Sequence, residues 1–291
     1  MTYLIISIIA STLIFVIFKL FAVYKINTLQ AIVVNYGVAC TCGIIGYKNT
    51  LEVSKIPEYD WFYYTLGLGA LFIIVFNLMA ITTQRNGLSV VSVATKMAVV
   101  IPIAFGLWYY KESLGIYKGI GIALALVAVY LASLKNLDNI GLSKKNLIFP
   151  LLVFLGSGLI DTSLNYLQND FIEDKTLLPI FSATIFAAAG VIGVCVLALQ
   201  RIQGTFHFEI KNVIGGIVLG IPNYFSIYFL VKALRSDLFD SSGIFTINNV
   251  AIVILSTLMG IAFFKEKLSL KNWIGIVLAI ISIALVTLAT L

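Results

Sequence analysis

"WYYKESLGIYKGIGIALALVAVYLASL" occupies residues 108–134, and "AFFKEKLSLKNWIGIVLAIISIALVTL" occupies residues 262–288. The two align without gaps at an offset of 154 residues. Ten of the 27 positions are identical, among them Lys111/Lys265, Glu112/Glu266, Leu114/Leu268 and Gly121/Gly275. Apolar composition alone matches some Leu and Ile, but it does not place Lys-Glu at the same point of both copies. The same offset pairs Ser92 with Thr246 and Thr95 with Asn249. The chain therefore reads as two halves of one pattern, residues 1–138 and 139–291.

The rest of the chain has the same texture as these stretches. It has 291 residues, 60% hydrophobic and 11% charged, and a mean hydropathy of +1.05. A soluble domain carries roughly a quarter charged residues. This chain has too little polar surface to cover a water-facing globule, so its solvent is the bilayer. A helix needs about 20 residues to cross the hydrocarbon core. Ten such runs are present: 3–24, 28–47, 61–84, 88–110, 116–134, 147–168, 177–200, 212–234, 243–264 and 272–290. Barrel strands alternate over about ten residues, whereas these runs are solidly apolar, so the expected class is an all-α integral membrane protein. "MTYLIISIIASTLIF" lacks the charged start and cleavage site of a signal peptide and is read as the first span. Five spans per half is an odd number, so the second half starts on the opposite side of the membrane. That makes two inverted five-helix repeats, an architecture of secondary transporters with the substrate near the midplane.

Ten spans in a 5+5 repeat, with Lys-Glu closing the fourth and ninth and glycines in the fifth and tenth, resemble the drug/metabolite transporter superfamily, EamA-type. The resemblance covers the whole chain. It implies a secondary transporter, an exporter by preference, working by alternating access. It also implies a cavity lined by spans 1, 3, 4, 6, 8 and 9, with 5 and 10 packed outside. The family moves amino acids, sugars, nucleotide sugars and other metabolites, so it does not name the cargo. The expected setting is the cell membrane, as a multi-pass protein of a bacterial inner membrane, with both termini inside by resemblance. The loop charges lean the other way. That placement leaves seven Lys and Arg in the cytoplasmic connections, Lys48 and Arg235 among them, against ten outside, including Lys135 and Lys144.

Polar residues inside the spans carry the information about function. Asp161, Asn165 and Gln168 recur at i, i+4, i+7 in the sixth span, on one helix face. Ser89, Ser92 and Lys96 recur at i, i+3, i+7 in the fourth, and Thr246, Asn249 and Ser256 share a face in the ninth. The third span offers Asn77 and Gln84, the eighth Asn223, Tyr224 and Tyr228. Such stripes are costly against lipid and are expected to face a common cavity. Ser, Thr and Asn also commonly bridge neighbouring helices. Asp161 and Lys96 stand apart, because a charge at a helix centre costs about 2.5–3.5 kcal/mol on insertion scales. Measured from the starts of their spans, Lys96 lies ~12 Å deep and Asp161 ~21 Å. A stretched ion pair, or two charges at different levels of one cavity, are both open. Asp161 is expected to be held by water and by Asn165 and Gln168. Lys19 is expected to snorkel to the interface, and the Lys-Glu pairs to be architecture. Pro102 and Pro222 each remove a backbone donor. The spacings Gly115-x-x-x-Gly119 and Gly216-x-x-x-Gly220 permit close helix approach.

Other classes have less to stand on. A net charge of +6 spread over short loops argues against nucleic acid. Cys40, Cys42 and Cys195 lie in apolar runs and make no disulfide framework. His207 is the only histidine and sits in a polar connection. No catalytic residues, metal site, nucleotide loop or cofactor are expected. The expected partners are a small-molecule substrate, coupled protons as an option, and lipid; the oligomeric state is open, a monomer included. Import or exchange of sugars or phosphorylated metabolites is the alternative within the class. A membrane sensor or enzyme is the alternative outside it.

Overall fold

The computed structural model describes residues 1–46, 53–111, 115–134, 145–172, 174–234 and 241–288. Glu112, Leu114, Lys48, Lys135, Lys144 and Arg235 lie outside the described residues. The helices are α1 Thr2–Val23, α2 Thr28–Gly46, α3 Phe62–Asn86, α4 Leu88–Met97, α5 Val100–Tyr109 and α6 Ile116–Ser133, then α7 Lys145–Asp170, α8 Leu178–Ile202, α9 Ile210–Leu234, α10 Ser241–Phe264 and α11 Leu270–Leu288. Among the described residues there is no strand. Among the described residues ten helical segments are long and apolar enough to cross a membrane, α4 and α5 together making the fourth. Their bounds follow the apolar runs to within a few residues.

Lysines, not glycines, stop three of these helices. Lys25, Lys111 and Lys265 have φ of 51°, 53° and 52°, the left-handed conformation that ends many helices and usually calls for glycine. A Cβ there costs roughly 1–2 kcal/mol. At Lys25 the turn is closed by the Ile26 amide bonding the Phe21 carbonyl at 2.8 Å. The Lys-Glu motif is thus the same backbone stop at Lys111 and Lys265.

The fourth run is one apolar stretch in sequence but two helices in the structure. Pro102 cannot donate to Ala98, and its ring crowds that carbonyl. The chain tightens instead, with the Ile101 amide on the Ala98 carbonyl at 3.0 Å. Gly158 of α7 makes room for this turn: a Cβ there would lie 2.2 Å from the Ile101 Cδ1. At Pro222 α9 continues as helix.

The helices gather into two compact units. The first contains residues 1–20, 78–159 and 225–291, and the second residues 21–77 and 160–224. These units differ from the two sequence halves, since each takes helices from both.

In the first unit α6 packs antiparallel on α11. A Cβ on Gly121 would meet Val286 at 2.6 Å and the Ser282 carbonyl at 3.4 Å. One on Gly275 would meet the Ala132 amide at 2.5 Å and the Ala128 carbonyl at 2.9 Å. Ser282 Oγ donates to the Gly121 carbonyl at 2.7 Å. Asn272 closes the pair. Its Oδ1 accepts the Ser269 amide and hydroxyl at 2.9 and 2.7 Å, fixing the first turn of α11. Its Nδ2 donates to the carbonyls of Leu131, Ala132 and Leu134 at 3.2, 2.8 and 2.6 Å, the end of α6.

In the second unit α2 meets α8 antiparallel and α9 parallel. Gly43 faces Ala183, a Cβ there reaching the Ala183 Cβ at 3.1 Å, and Gly193 faces Val33. Tyr36 stacks on Phe186 with centroids 6.1 Å apart. Against α9, Gly216 fits under the Ala31 carbonyl and Val34, and Gly220 under Val38 and the Asn35 carbonyl. Gly115 and Gly119 have nothing within 4 Å of an added Cβ. One of the two glycine spacings is therefore a helix contact and the other is not.

Three substitutions test this packing. Asn272→Ala strands buried carbonyls at the end of α6 and is expected to destabilise by about 1–3 kcal/mol, read as a lower unfolding midpoint in detergent. Gly216→Ala drives a Cβ to 2.5 Å from the Ala31 carbonyl oxygen, an overpacking that costs about 1–3 kcal/mol, whereas Gly119→Ala is neutral or raises the midpoint.

Candidate functional site

The ten sequence candidates divide by unit: Ser92, Lys96, Tyr228, Thr246 and Asn249 in the first, Asn77, Asp161, Asn165, Gln168 and Asn223 in the second. Several are used for packing. Ser92 is fully buried and donates to the Ser89 carbonyl at 3.0 Å. Thr95 donates to the Val91 carbonyl at 2.7 Å, and buried Ser256 to the Val253 carbonyl at 3.1 Å. Thr246, the repeat mate of Ser92, hydrogen-bonds Thr287 of α11. Lys96 and Asn249 are half-buried. The ring of Tyr228 carries Lys232 Nζ at 4.6 Å from its centroid, and Tyr3 faces the same ammonium at 5.4 Å. This is a cation–π arrangement at the last turn of α9.

In the second unit the stripe Asp161, Asn165, Gln168 on α7 is exposed along its length. Asn165 Oδ1 accepts Asn169 Nδ2 at 2.7 Å, which extends the polar face one residue beyond the expected one. Asn77 Nδ2 donates to its own helix, to the Ile73 carbonyl at 2.8 Å. Asn223 is buried and donates from Nδ2 to Asn35 Oδ1 at 3.1 Å, joining α9 to α2. The Asn35 Nδ2 and the neighbouring Tyr36 hydroxyl are buried donors with no acceptor among the described residues. At the start of the same two helices Asn212 Oδ1 takes the Asn27 amide at 2.9 Å, and its Nδ2 donates to Gln30 Oε1 at 2.8 Å.

Sequence reasoning also passed over Ser7 and Asn248. Ser7 of α1 donates to the Ser226 carbonyl of α9 at 2.8 Å and lies 3.4 Å from Asn248 Oδ1 of α10, and all three residues are buried. The repeat offset drew attention to Asn249. Its neighbour Asn248 points elsewhere on the helix, and the doubled asparagine in an apolar run was the available signal. Lys19 has partners that its place in the sequence did not reveal. It pairs with Glu266 at 3.7 Å and donates to the Thr83 carbonyl at 3.3 Å.

No family model matches the chain. It is similar to an uncharacterized protein of Haemophilus influenzae, with 28% identity over 285 residues, covering 96% of this chain and 95% of the relative. Among solved structures it is similar to one described as "Crystal structure of protein", with a TM-score of 0.56, 16% identity and 99% of each chain covered. At that identity the likeness is one of fold.

The Ser7–Asn248 contact is long, so it should be weak. A double-mutant cycle of Ser7→Ala and Asn248→Ala is expected to return a coupling of about 0.5–1 kcal/mol, as for other interhelical hydrogen bonds in membranes. A value several times larger by unfolding in detergent would mean that the pair is tighter than it stands here.

Proposed function

We propose that this chain is a secondary transporter of a small polar metabolite, built from two inverted five-helix repeats of the EamA type. What supports this reading is the reciprocity of the helix pairs. Gly121 meets Ser282 and Val286 while Gly275 meets Ala128 and Ala132, so the glycine contacts between α6 and α11 are twins 154 residues apart. The α2–α8 pair follows the same rule at 150 residues, with Gly43 on Ala183, Val33 on Gly193, and Tyr36 on Phe186. A twofold relation between antiparallel helices has its axis across them. In a membrane such an axis turns one half over with respect to the other. Two like halves in opposite orientation can exchange conformations and so give two states of similar energy, opening to opposite sides. A sensor or an enzyme has no comparable need of that relation. Export, both termini inside and a bacterial inner membrane complete the reading, on the resemblance of the Lys-Glu motifs and their following spans.

The exposed stripe of α7 is the part of the chain that we assign to cargo. A carboxylate in a span is retained against its insertion cost only for a purpose, and Asp161 has Asn165 and Gln168 on its face to share water or a polar ligand. Its charge has two uses: to grip a cargo amine or to exchange a proton during the cycle. Ser92, Thr246 and Ser256 are reassigned to helix packing on their hydrogen bonds. Lys96 and Asn249 remain as half-buried polar positions of the first unit.

A substrate screen in proteoliposomes tests the transport reading, and Asp161→Asn then separates the two roles. If Asp161 exchanges protons, the variant still equilibrates cargo across the membrane but loses gradient-driven accumulation. If it grips an amine, cargo binding itself weakens, by tenfold or more for a lost charge-assisted hydrogen bond of about 1.5–3 kcal/mol. Wild-type binding and accumulation in this variant would remove Asp161 from the mechanism.

A further inference from the structure

The Glu266 carboxylate ties several helix ends together at one end of the first unit. Its Oε1 accepts the Leu88 amide, at the first turn of α4, at 2.8 Å. The same oxygen faces Lys19 Nζ of α1 at 3.7 Å. Its Oε2 lies 3.5 Å from Ser89 Oγ. Lys19 carries the link to α3 through the Thr83 carbonyl at 3.3 Å. The backbone amide of Glu266 returns to α10, to the Gly260 carbonyl at 3.0 Å.

The seat is shaped to this one side chain. Gly87 has φ 109°, and a Cβ on it would lie 2.7 Å from the carboxylate; a Cβ on Gly260 would lie 2.4 Å from Oε2. The left-handed Lys265 just before it aims Glu266 inward from the end of α10. The carboxylate and ammonium side chains are 11% and 21% exposed.

A pair held this far from water is a poor choice for mere fastening, since an apolar contact of similar volume holds as well or better. What it supplies is a contact made or broken as a whole. Each of its partners belongs to a helix or to a helix end, so withdrawal of one side chain breaks the polar tie of the first turn of α4 to α1 and to the end of α10 together, and leaves the packing of α4 along α10 in place. We propose that Glu266 is a latch: seated between the start of α4 and Lys19, it keeps this end of the first unit shut, and its withdrawal opens that end to water. The latch rests on the transport reading only for what passes once it opens.

The test needs no cargo. Ser92 lies one helical turn beyond Ser89 on α4 and is 0% exposed. A Ser92→Cys chain, with Cys40, Cys42 and Cys195 replaced by alanine, is exposed to a membrane-impermeant methanethiosulfonate. Glu266→Gln keeps an acceptor for the Leu88 amide but loses the charge, and it should raise the labelling rate about tenfold. Gly260→Ala is the sharper variant. Alanine suits the α10 helix better than glycine, so its one expected harm is to evict the carboxylate, with the same rise in rate. Ser282→Cys, 1% exposed between α6 and α11, serves as the control and should stay unlabelled throughout. Parent rates at Ser92→Cys in both variants would make Glu266 a fixed strut and end the proposal. Labelling of Ser282→Cys in step with Ser92→Cys would end it too, as general loosening. Neither outcome touches the transport reading, which stands or falls on cargo flux.

Discussion

Lipid gives a helix end nothing to bond to, and an unsatisfied backbone group there costs several kcal/mol. Several polar side chains of this chain are spent on that constraint. Asn272 binds three carbonyls at the end of α6 while its oxygen fixes the start of α11. Glu266 takes an amide at the start of α4. Asn27 bonds the Gln30 amide at 3.1 Å, and Asn212 ties that turn to α9. Each of these residues also joins two helices. Capping and assembly are thus one set of bonds, so the helices cannot separate without exposing their ends.

The sequence made the spans legible because length and hydropathy decide them. It also made the stops legible in part. Lys111 and Lys265 mark the same point of the repeat, and both turn out to be left-handed. The break between α4 and α5 was hidden inside an unbroken apolar run, and only Pro102 hinted at it. The candidate site was harder to read. Helical spacing found the exposed stripe at Asp161, Asn165 and Gln168, because a face is a matter of angle along one helix. Spacing could not sort the hydroxyls. Ser92, Thr95 and Ser256 satisfy themselves on carbonyls three or four residues back, and a self-satisfied hydroxyl looks in sequence like one that meets a ligand. The partner of Lys19 was invisible for a different reason: Glu266 lies in a connection at the far end of the chain.

The glycines make a similar point. Gly115-x-x-x-Gly119 and Gly216-x-x-x-Gly220 are the same pattern, yet only the second lies under a neighbouring backbone. A small-residue spacing permits an approach, and the opposing helix decides whether it happens. On α2 the residues that use it are Ala31, Val34, Asn35 and Val38, a stripe of modest side chains at helical spacing. Contacts of this kind depend on the backbone more than on the side chain that is missing, so their recognition needs both helices at once.

The pairing of α6 with α11 also sets a timetable for biogenesis. The Gly121 carbonyl waits for the Ser282 hydroxyl, which is synthesised 161 residues later. At about 5–20 residues per second the ribosome needs roughly 8–30 s to deliver it. During that interval the glycine face of α6 has no permanent neighbour. The second unit ends at Tyr224, so all of its helices are made while α10 and α11 are still to come. Order of synthesis therefore favours a nascent chain in which that unit is assembled first, with α10 and α11 closing the other afterwards.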